Sequence, residues 1–246
     1  MNLNVAGIIP ARYGSTRFPG KPLALIHGKT MIRRVYEQVS KAEMISQVVV
    51  ATDDRRIVEE VESFGGNVVM TTADHPSGTD RCAEALQKLN ADFQVVINIQ
   101  GDEPFIDPGQ INLLAAMFQN PELEIASLAT PIKSDEELNS PNVVKVVVGK
   151  SGKALYFSRS PIPFLRDNIS GDSTANHTFL KHVGIYAYRS EVLKQIVKLE
   201  RSSLEKAESL EQLRWLENGF SIHIKTTELE SLAVDTLEDL SKIINI

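Results

Sequence analysis

The chain is predicted to be an α/β protein with a doubly wound, mostly parallel sheet and an antiparallel insertion. Strand and helix signals alternate as far as about residue 118, the pattern of β-α-β units. The strand runs, above all Val95–Ile99, are nearly continuous in apolar residues, as expected of strands covered on both faces. Beyond about residue 120 the texture changes. Val143–Val148, the turn Ser151-Gly152-Lys153 and Ala154–Phe157 read as a hairpin, which a parallel sheet does not contain.

Val5–Ile9 is the first buried strand. Met31, Ile32, Val35, Tyr36 and Val39 repeat at helical spacing, so a helix covers roughly 30–42. Gln47–Thr52 is the second strand, and Asp53 and Asp54 stand where an N-cap belongs. Ile57, Val58, Val61 and Phe64 form the next helical stripe, closed by Gly65-Gly66. Asn67–Thr71 is the third strand, and Ser77-Gly78-Thr79-Asp80-Arg81 opens a helix running to about Leu89. Val95–Ile99 breaks at Gln100-Gly101-Asp102-Glu103-Pro104, and Asp107-Pro108 starts a helix carrying Ile111, Leu114, Met117 and Phe118. Strands follow at Glu124–Ile132, in the hairpin, and at Leu180–Tyr188, with a long loop over 159–178. Helices at about 190–199 and 208–217 and a strand at 221–226 precede a last helix, whose Thr236 and Asp239 have capping-box spacing. No repeat or linker divides the chain. It reads as one domain over 1–246, with an insertion or dimerisation arm at about 143–178.

The 246 residues suffice to bury a substantial core, and 42% hydrophobic with 24% charged residues is ordinary for a globular protein. A net charge of −6 argues against general nucleic-acid binding, though not against a small anion in a local basic pocket. The single cysteine, Cys82, excludes an internal disulfide framework and a cysteine-rich zinc site. The first apolar run lacks a basic lead and is too short for a signal peptide or membrane span, so a cytoplasmic location is expected.

The stretch 8–22 dominates the functional reading. A strand meets Pro10 and becomes a loop with Gly14 and Gly20 and three cations, Arg12, Arg17 and Lys21. Glycines let backbone N–H groups approach a ligand, and fixed cations replace the water around an anion. The stretch matches neither a P-loop nor a dinucleotide fingerprint. Ligands of parallel sheets collect at the carboxyl ends of strands, which puts Asp102 on the same edge as the cationic loop. Alone, Asp102 fits a turn cap as well as a Mg2+ ligand. Glu103 is its neighbour on an extended chain and points the other way. Asp235, before the last helix, is a second available carboxylate or equally a capping residue, and spacing does not pair it with Asp102. The N-terminus of the helix after Ser77-Gly78 can bind an anion and carries Arg81. Arg159 ends a strand. His182 and Tyr186 share a strand face, where such residues are more often structural than catalytic. Glu211 and Gln212, taken alone, read as solvated residues of the Leu210/Leu213/Leu216 helix.

With these residues laid out, the chain resembles the acidic-sugar cytidylyltransferases, and among them those acting on 3-deoxy-manno-octulosonate (KDO). The resemblance runs in order through residues 9–22, Ala-Thr-Asp (51–53), Ser-Gly-Thr-Asp-Arg (77–81) and Asn-Ile-Gln-Gly-Asp-Glu-Pro (98–104). It continues through Ala-Leu-Tyr-Phe-Ser-Arg (154–159), His-Val-Gly-Ile-Tyr-Ala-Tyr-Arg (182–189), Leu-Glu-Gln-Leu-Arg (210–214) and Val-Asp-Thr-Leu-Glu-Asp-Leu (234–240). It implies that Arg12, Arg17 and Lys21 meet the phosphates of CTP and that Ser77, Gly78, Arg81 and Gln100 hold the nucleotide. It implies Mg2+ on Asp102 and Asp235, and a sugar acid surrounded by Arg159, His182, Tyr186, Glu211 and Gln212. The implied reaction transfers CMP to the anomeric hydroxyl of KDO, releasing pyrophosphate and activating KDO for lipopolysaccharide synthesis. Arg12, Lys21, Asp102 and Asp235 are its catalytic set, and a homodimer is implied. Leu237 stands where the family usually has proline, a helix-entry residue that donates no ligand. The rival readings are a cytidylyltransferase for sialic acid or an amino analogue of KDO, or a sugar-nucleotide-binding protein without turnover.

Overall fold

Strand β1 (Val5–Ala11) sits inside the sheet because both its faces have apolar partners. Val5 and Ile9 enter one core and Ala6 and Ile8 the other, the period of two expected of a strand. The computed structural model describes residues 3–14, 18–166, 173–230, 232–234 and 236–244. After β1 a single 3-10 turn (Lys21–Leu23) and a ribbon, β2 (Leu25–Ile26) with β3 (Lys29–Thr30), lead into α1 (Met31–Val39). Then come β4 (Gln47–Thr52), α2 (Arg55–Ser63), β5 (Val68–Met70), α3 (Gly78–Lys88), β6 (Val95–Asn98) and α4 (Pro108–Met117). The second half contains β7 (Ile125–Pro131), α5 (Asp135–Asn139), β8 (Lys145–Val148), β9 (Ala154–Ser158), α6 (Ser173–Asn176) and β10 (Leu180–Arg189). It closes with α7 (Ser190–Ile196), α8 (Ser203–Glu208), α9 (Gln212–Glu217), β11 (Ile222–Thr226) and α10 (Leu237–Ile244).

The main sheet runs β11-β7-β10-β6-β1-β4-β5. β1 is parallel to β4 and β6, β4 to β5, and β11 to β7. β10 is antiparallel to β6 and β7, and the β8–β9 hairpin pairs onto it through β8. This is the mostly parallel sheet with antiparallel strands that the sequence predicts. The chain is doubly wound. Ile32, Val35, Ile57, Val61, Ile111 and Leu114 of α1, α2 and α4 cover one face. Cys82, Leu86, Leu193, Ile196, Leu213 and Trp215 of α3, α7 and α9 cover the other. Each such side chain contributes roughly 1.5–3 kcal/mol on burial.

Two readings need correction. The helix expected over 208–217 begins only at Gln212, as α9, and a separate helix, α8, ends before it at Glu208, because Ser209 adopts a left-handed φ of 52° that an α-helix cannot continue through. That break also overturns the solvated reading of Glu211 and Gln212. The chain turns at Ser209, so Gln212 is buried and Glu211 faces Ser77 and Thr79. The capping box at the last helix forms as expected: Asp239 N–H donates to Thr236 Oγ1 and Thr236 N–H to Asp239 Oδ2. In β10 the register slips between Val183 and Tyr186, which lie opposite the consecutive residues Leu128 and Ser127. Gly184 and Ile185 are the extra residues. Because they are two, the alternation is restored, and the His182 and Tyr186 rings meet at 5.1 Å between centroids.

Candidate active site

The order of the strands makes the site. From β1 the chain winds outward to β4 and β5, then returns to β6 on β1's other side. The loops leaving the carboxyl ends of β1 and β6 therefore diverge and leave a crevice. Its volume is about 260 Å³, and Arg12, Lys21, Ser77, Gly78, Arg81, Gln100 and Asp102 line it with Pro10, Ala11 and Gly101. Gly101 is required there, since a Cβ at this position would stand 2.9 Å from the carbonyl oxygen of Pro10.

Lys21 Nζ donates to Asp102 Oδ2 at 2.7 Å. Asp102 faces the cleft, whereas Glu103 is buried. Ser77 caps α3 by accepting from Asp80 N–H, leaving the positive end of the helix at the cleft wall. Arg81, 4% exposed, reaches from the first turn of α3 to Asp53 at 3.2 Å and donates to Thr71 Oγ1 at 2.5 Å. It is thus both a cation at the cleft and the clamp that holds the strand ends behind it. Gln100 Nε2 donates to the Gly184 carbonyl at 3.0 Å, joining the cleft to the irregular stretch of β10.

That stretch carries the second group of residues. The His182 ring packs edge-on against Phe157 and tilted against Tyr186, and Tyr186 meets Trp215 edge-on. Burial pushes the His182 imidazole down to about 3, so it is neutral at physiological pH. Ser127 Oγ lies within 3.1 Å of the Val183 and Ile185 carbonyls and 3.0 Å from His182 Nε2. Its one proton goes to a carbonyl, so His182 Nε2–H donates to it. The buried Tyr186 hydroxyl makes no hydrogen bond, and burial pushes its pKa up.

Glu211 Oε1 lies 2.9 Å from the Ser77 hydroxyl, and Oε2 accepts from Thr79 at 2.8 Å. Burial raises its pKa, with the hydroxyls of Thr79 and Ser77 opposing. Glu211 also lines a neighbouring pocket with Pro76, Ser77, Arg201, Glu205, Ser209 and Arg214. Gln212 is buried at the start of α9. Arg159 turns elsewhere. Its guanidinium donates to the carbonyls of Glu208, Pro141 and Ser209, outside the cleft lining. Its own carbonyl accepts from Lys145, whose buried ammonium also donates to the Ser140 and Val143 carbonyls. Arg17 and Asp235 lie outside the described residues.

A family model described as cytidylyltransferase matches residues 6–227. The 3-deoxy-manno-octulosonate cytidylyltransferase of Cytophaga hutchinsonii is 56% identical over 243 residues, covering 98% of this chain and 97% of that one. That of Bacteroides thetaiotaomicron is 56% identical over 237 residues, covering 95% and 94%. The chain belongs to the 3-deoxy-manno-octulosonate cytidylyltransferase family. A solved structure of CMP:2-keto-3-deoxy-manno-octonic acid synthetase complexed with CTP superposes with a TM-score of 0.91 at 43% identity, covering 98% of this chain and 97% of that one.

For a cytidylyltransferase the sequence-level expectation is Mg2+, and the described residues fit it in part. Mg2+ takes one or two carboxylates and completes its shell with phosphate oxygens and water. Asp102 offers one carboxylate in a cleft lined by cations. Val234 N–H donates to the Asp102 carbonyl oxygen at 2.8 Å, so the segment leading into Asp235 is tied to residue 102. Among the described residues no group of three or more His, Cys, Asp or Glu gathers to hold a metal.

Two further supports of this cytidylyltransferase cleft lie outside the residues the sequence singles out for chemistry. Asp54 is the cap of α2, accepting from Arg56 N–H, which frees the adjacent Asp53 to pair with Arg81. The two-aspartate run was the available signal. The second support is Glu84. Thr72 donates to it through its N–H at 2.9 Å and its hydroxyl at 3.1 Å, His75 Nε2 touches the same oxygen, and Lys88 pairs with the other at 2.6 Å. Burial alone would raise this carboxyl, but the hydrogen bonds from Lys88, Thr72 and His75 hold it at about 2. Glu84 thereby fastens the loop ahead of Pro76 and Ser77. On the sequence it was one acidic residue of a helix, with nothing to mark it.

Proposed function

We propose that the chain transfers the CMP unit of CTP to the anomeric hydroxyl of KDO and releases pyrophosphate. The observation that carries this reading is the cleft at the strand-order reversal, where Arg12, Lys21, Arg81 and the α3 N-terminus converge beside Asp102. Such a wall suits a polyanion, and pairing on the same wall with a single carboxylate suits a metal-bound triphosphate.

In this reading Arg12 and Lys21 neutralise the charge that builds on the leaving pyrophosphate. Ser77, Gly78 and Gln100 orient the nucleotide, and Arg81 braces the wall behind it. The sugar acid lies on the Gln100–Gly184 side, near Tyr186 and Glu211. The unpartnered Tyr186 hydroxyl supports this, because a buried hydroxyl without a bond costs stability unless a ligand uses it. His182 stays neutral and orients the Tyr186 ring. Mg2+, held by Asp102 with Asp235, would polarise the α-phosphate and lower the pKa of the attacking hydroxyl. Asp102 is free to serve once Lys21 moves from it to the phosphates. Arg17 belongs to the same phosphate set and Gln212 to the sugar side, whereas Arg159, with its guanidinium held by the carbonyls of Glu208, Pro141 and Ser209, is left out of it.

We include a homodimer and a cytoplasmic location in the proposal. Leu155 and Phe164, on the 143–178 arm, are 63% and 87% exposed, as suits an arm that packs on a second copy. No helix among the described residues is long and apolar enough to cross a membrane.

Pyrophosphate release from CTP tests the assignment, with KDO, an amino analogue of KDO, and sialic acid in parallel. Release with KDO roughly tenfold or more above the other acids is expected. Faster release with another acid would reassign the acceptor, and none with any acid would leave only a binding protein.

A further inference from the structure

Gln110 is fully buried in the first turns of α4, away from the cleft. Its Nε2 donates to the Leu229 carbonyl at 2.6 Å, while its Oε1 is buried with no hydrogen-bond partner. An unpaired buried carbonyl destabilises, so an apolar side chain of this shape would serve packing better. The amide cannot be reversed, because Oε1 would then face the Leu229 carbonyl. What the residue provides is the single bond to Leu229.

That bond falls on a strap. Residues 227–230 and 232–234 leave the end of β11 for the cleft. Thr227 N–H is bonded to the Ala129 carbonyl at 3.0 Å, Glu230 pairs with Lys133 at 2.9 Å, and Val234 N–H is bonded to the Asp102 carbonyl. Gly109, beside Gln110, has no side chain, and a Cβ there would stand 2.9 Å from the capping Asp107 Oδ1 and 3.0 Å from Leu229 Cδ1, so the α4 end and Leu229 pack closely.

We infer that Gln110 is a positioning residue for the cation site: by holding Leu229 it fixes the strap whose Val234 is bonded to Asp102. The inference rests on the proposed cation role of Asp102 and Asp235. Gln110 acts on the site through the strap alone, so its removal loosens the cation and spares the nucleotide wall.

The test measures Mn2+ binding by electron paramagnetic resonance on the full-length protein with CTP, and CTP binding without divalent cation. Gln110→Met is expected to weaken Mn2+ binding roughly threefold to tenfold. It should leave metal-free CTP binding and the melting temperature no worse than in the parent. Gln110→Leu, which likewise lacks the amide donor, is expected to act the same way and supplies the answer if Gln110→Met does not fold. Parent-like Mn2+ binding in both variants, with loss in Asp102→Asn and Asp235→Asn, overturns the inference and leaves the cation site standing. Parent-like binding in Asp102→Asn and Asp235→Asn overturns the cation site itself, and this inference with it.

Discussion

Replacing Lys21 by methionine should move two measurements in opposite directions. Lys21 Nζ sits 2.7 Å from Asp102 Oδ2, with side chains 16% and 26% exposed. A charge-assisted hydrogen bond of this kind contributes about 1.5–3 kcal/mol, which partial exposure lowers to about 1–2 kcal/mol. Without nucleotide, the lysine is the cation that Asp102 already has, and a divalent ion must displace it. Lys21→Met should therefore bind Mn2+ tighter without CTP, by roughly fivefold to thirtyfold on that arithmetic. With CTP the sign reverses, because the cation proposed to meet the phosphates is gone. Catalytic efficiency should fall ~10–100-fold. Titration calorimetry of the nucleotide-free protein reads the first effect and initial rates of pyrophosphate release read the second. Unchanged Mn2+ affinity would mean that the Lys21–Asp102 pair does not compete for the ion. Unchanged efficiency would remove Lys21 from the phosphate set.

Arg214→Met should cost up to ~3 kcal/mol in urea unfolding, because the buried Glu205 loses its two bonds from Arg214 at 2.8 and 2.9 Å and keeps only the looser ones from the exposed Arg201 and the Ser202 N–H, both at 3.3 Å. The double variant Glu205→Leu/Arg214→Met should recover most of that loss. Glu84 is held at about 2, below its unfolded value near 4.5, so its contribution is complete above about pH 4.5 and is lost as pH falls towards 2. Glu84→Gln should flatten stability against pH in that window and raise KM for CTP. His182 is buried neutral, at about 3 against roughly 6.5 unfolded. The unfolded chain takes up the proton first, so stability should drop as pH falls from about 6.5 towards 3. His182→Gln should lack that slope and show the same pH–rate profile as the parent above pH 7.

The sequence made the winding and the strand-end loops legible because period and burial go together: a strand covered on both faces must be apolar throughout. It also separated Asp102 from Glu103, since adjacent residues on extended chain diverge, and the structure turns the first to the cleft and buries the second. It does not show the break at Ser209, because serine carries no mark of a left-handed backbone, and so the helical pattern alone turns Glu211 and Gln212 to water. Nor could it show where long side chains would turn. Arg159 spends its guanidinium on three carbonyls, and Arg81 finds Asp53 only after the sheet brings β4 beside α3. The pairing of distant segments is a tertiary fact. Val234 meets Asp102 across 132 positions through one backbone bond, which no local pattern announces.

The central claim is attack on the α-phosphorus of CTP by the sugar's anomeric oxygen. Phosphorus NMR of a reaction with CTP, KDO and Mg2+ tests it most directly. One pyrophosphate should appear for each phosphodiester between CMP and the sugar, and neither should form with Asp102→Asn at the same enzyme concentration. Release of inorganic phosphate with CDP, or of free CMP without a sugar phosphodiester, would contradict it.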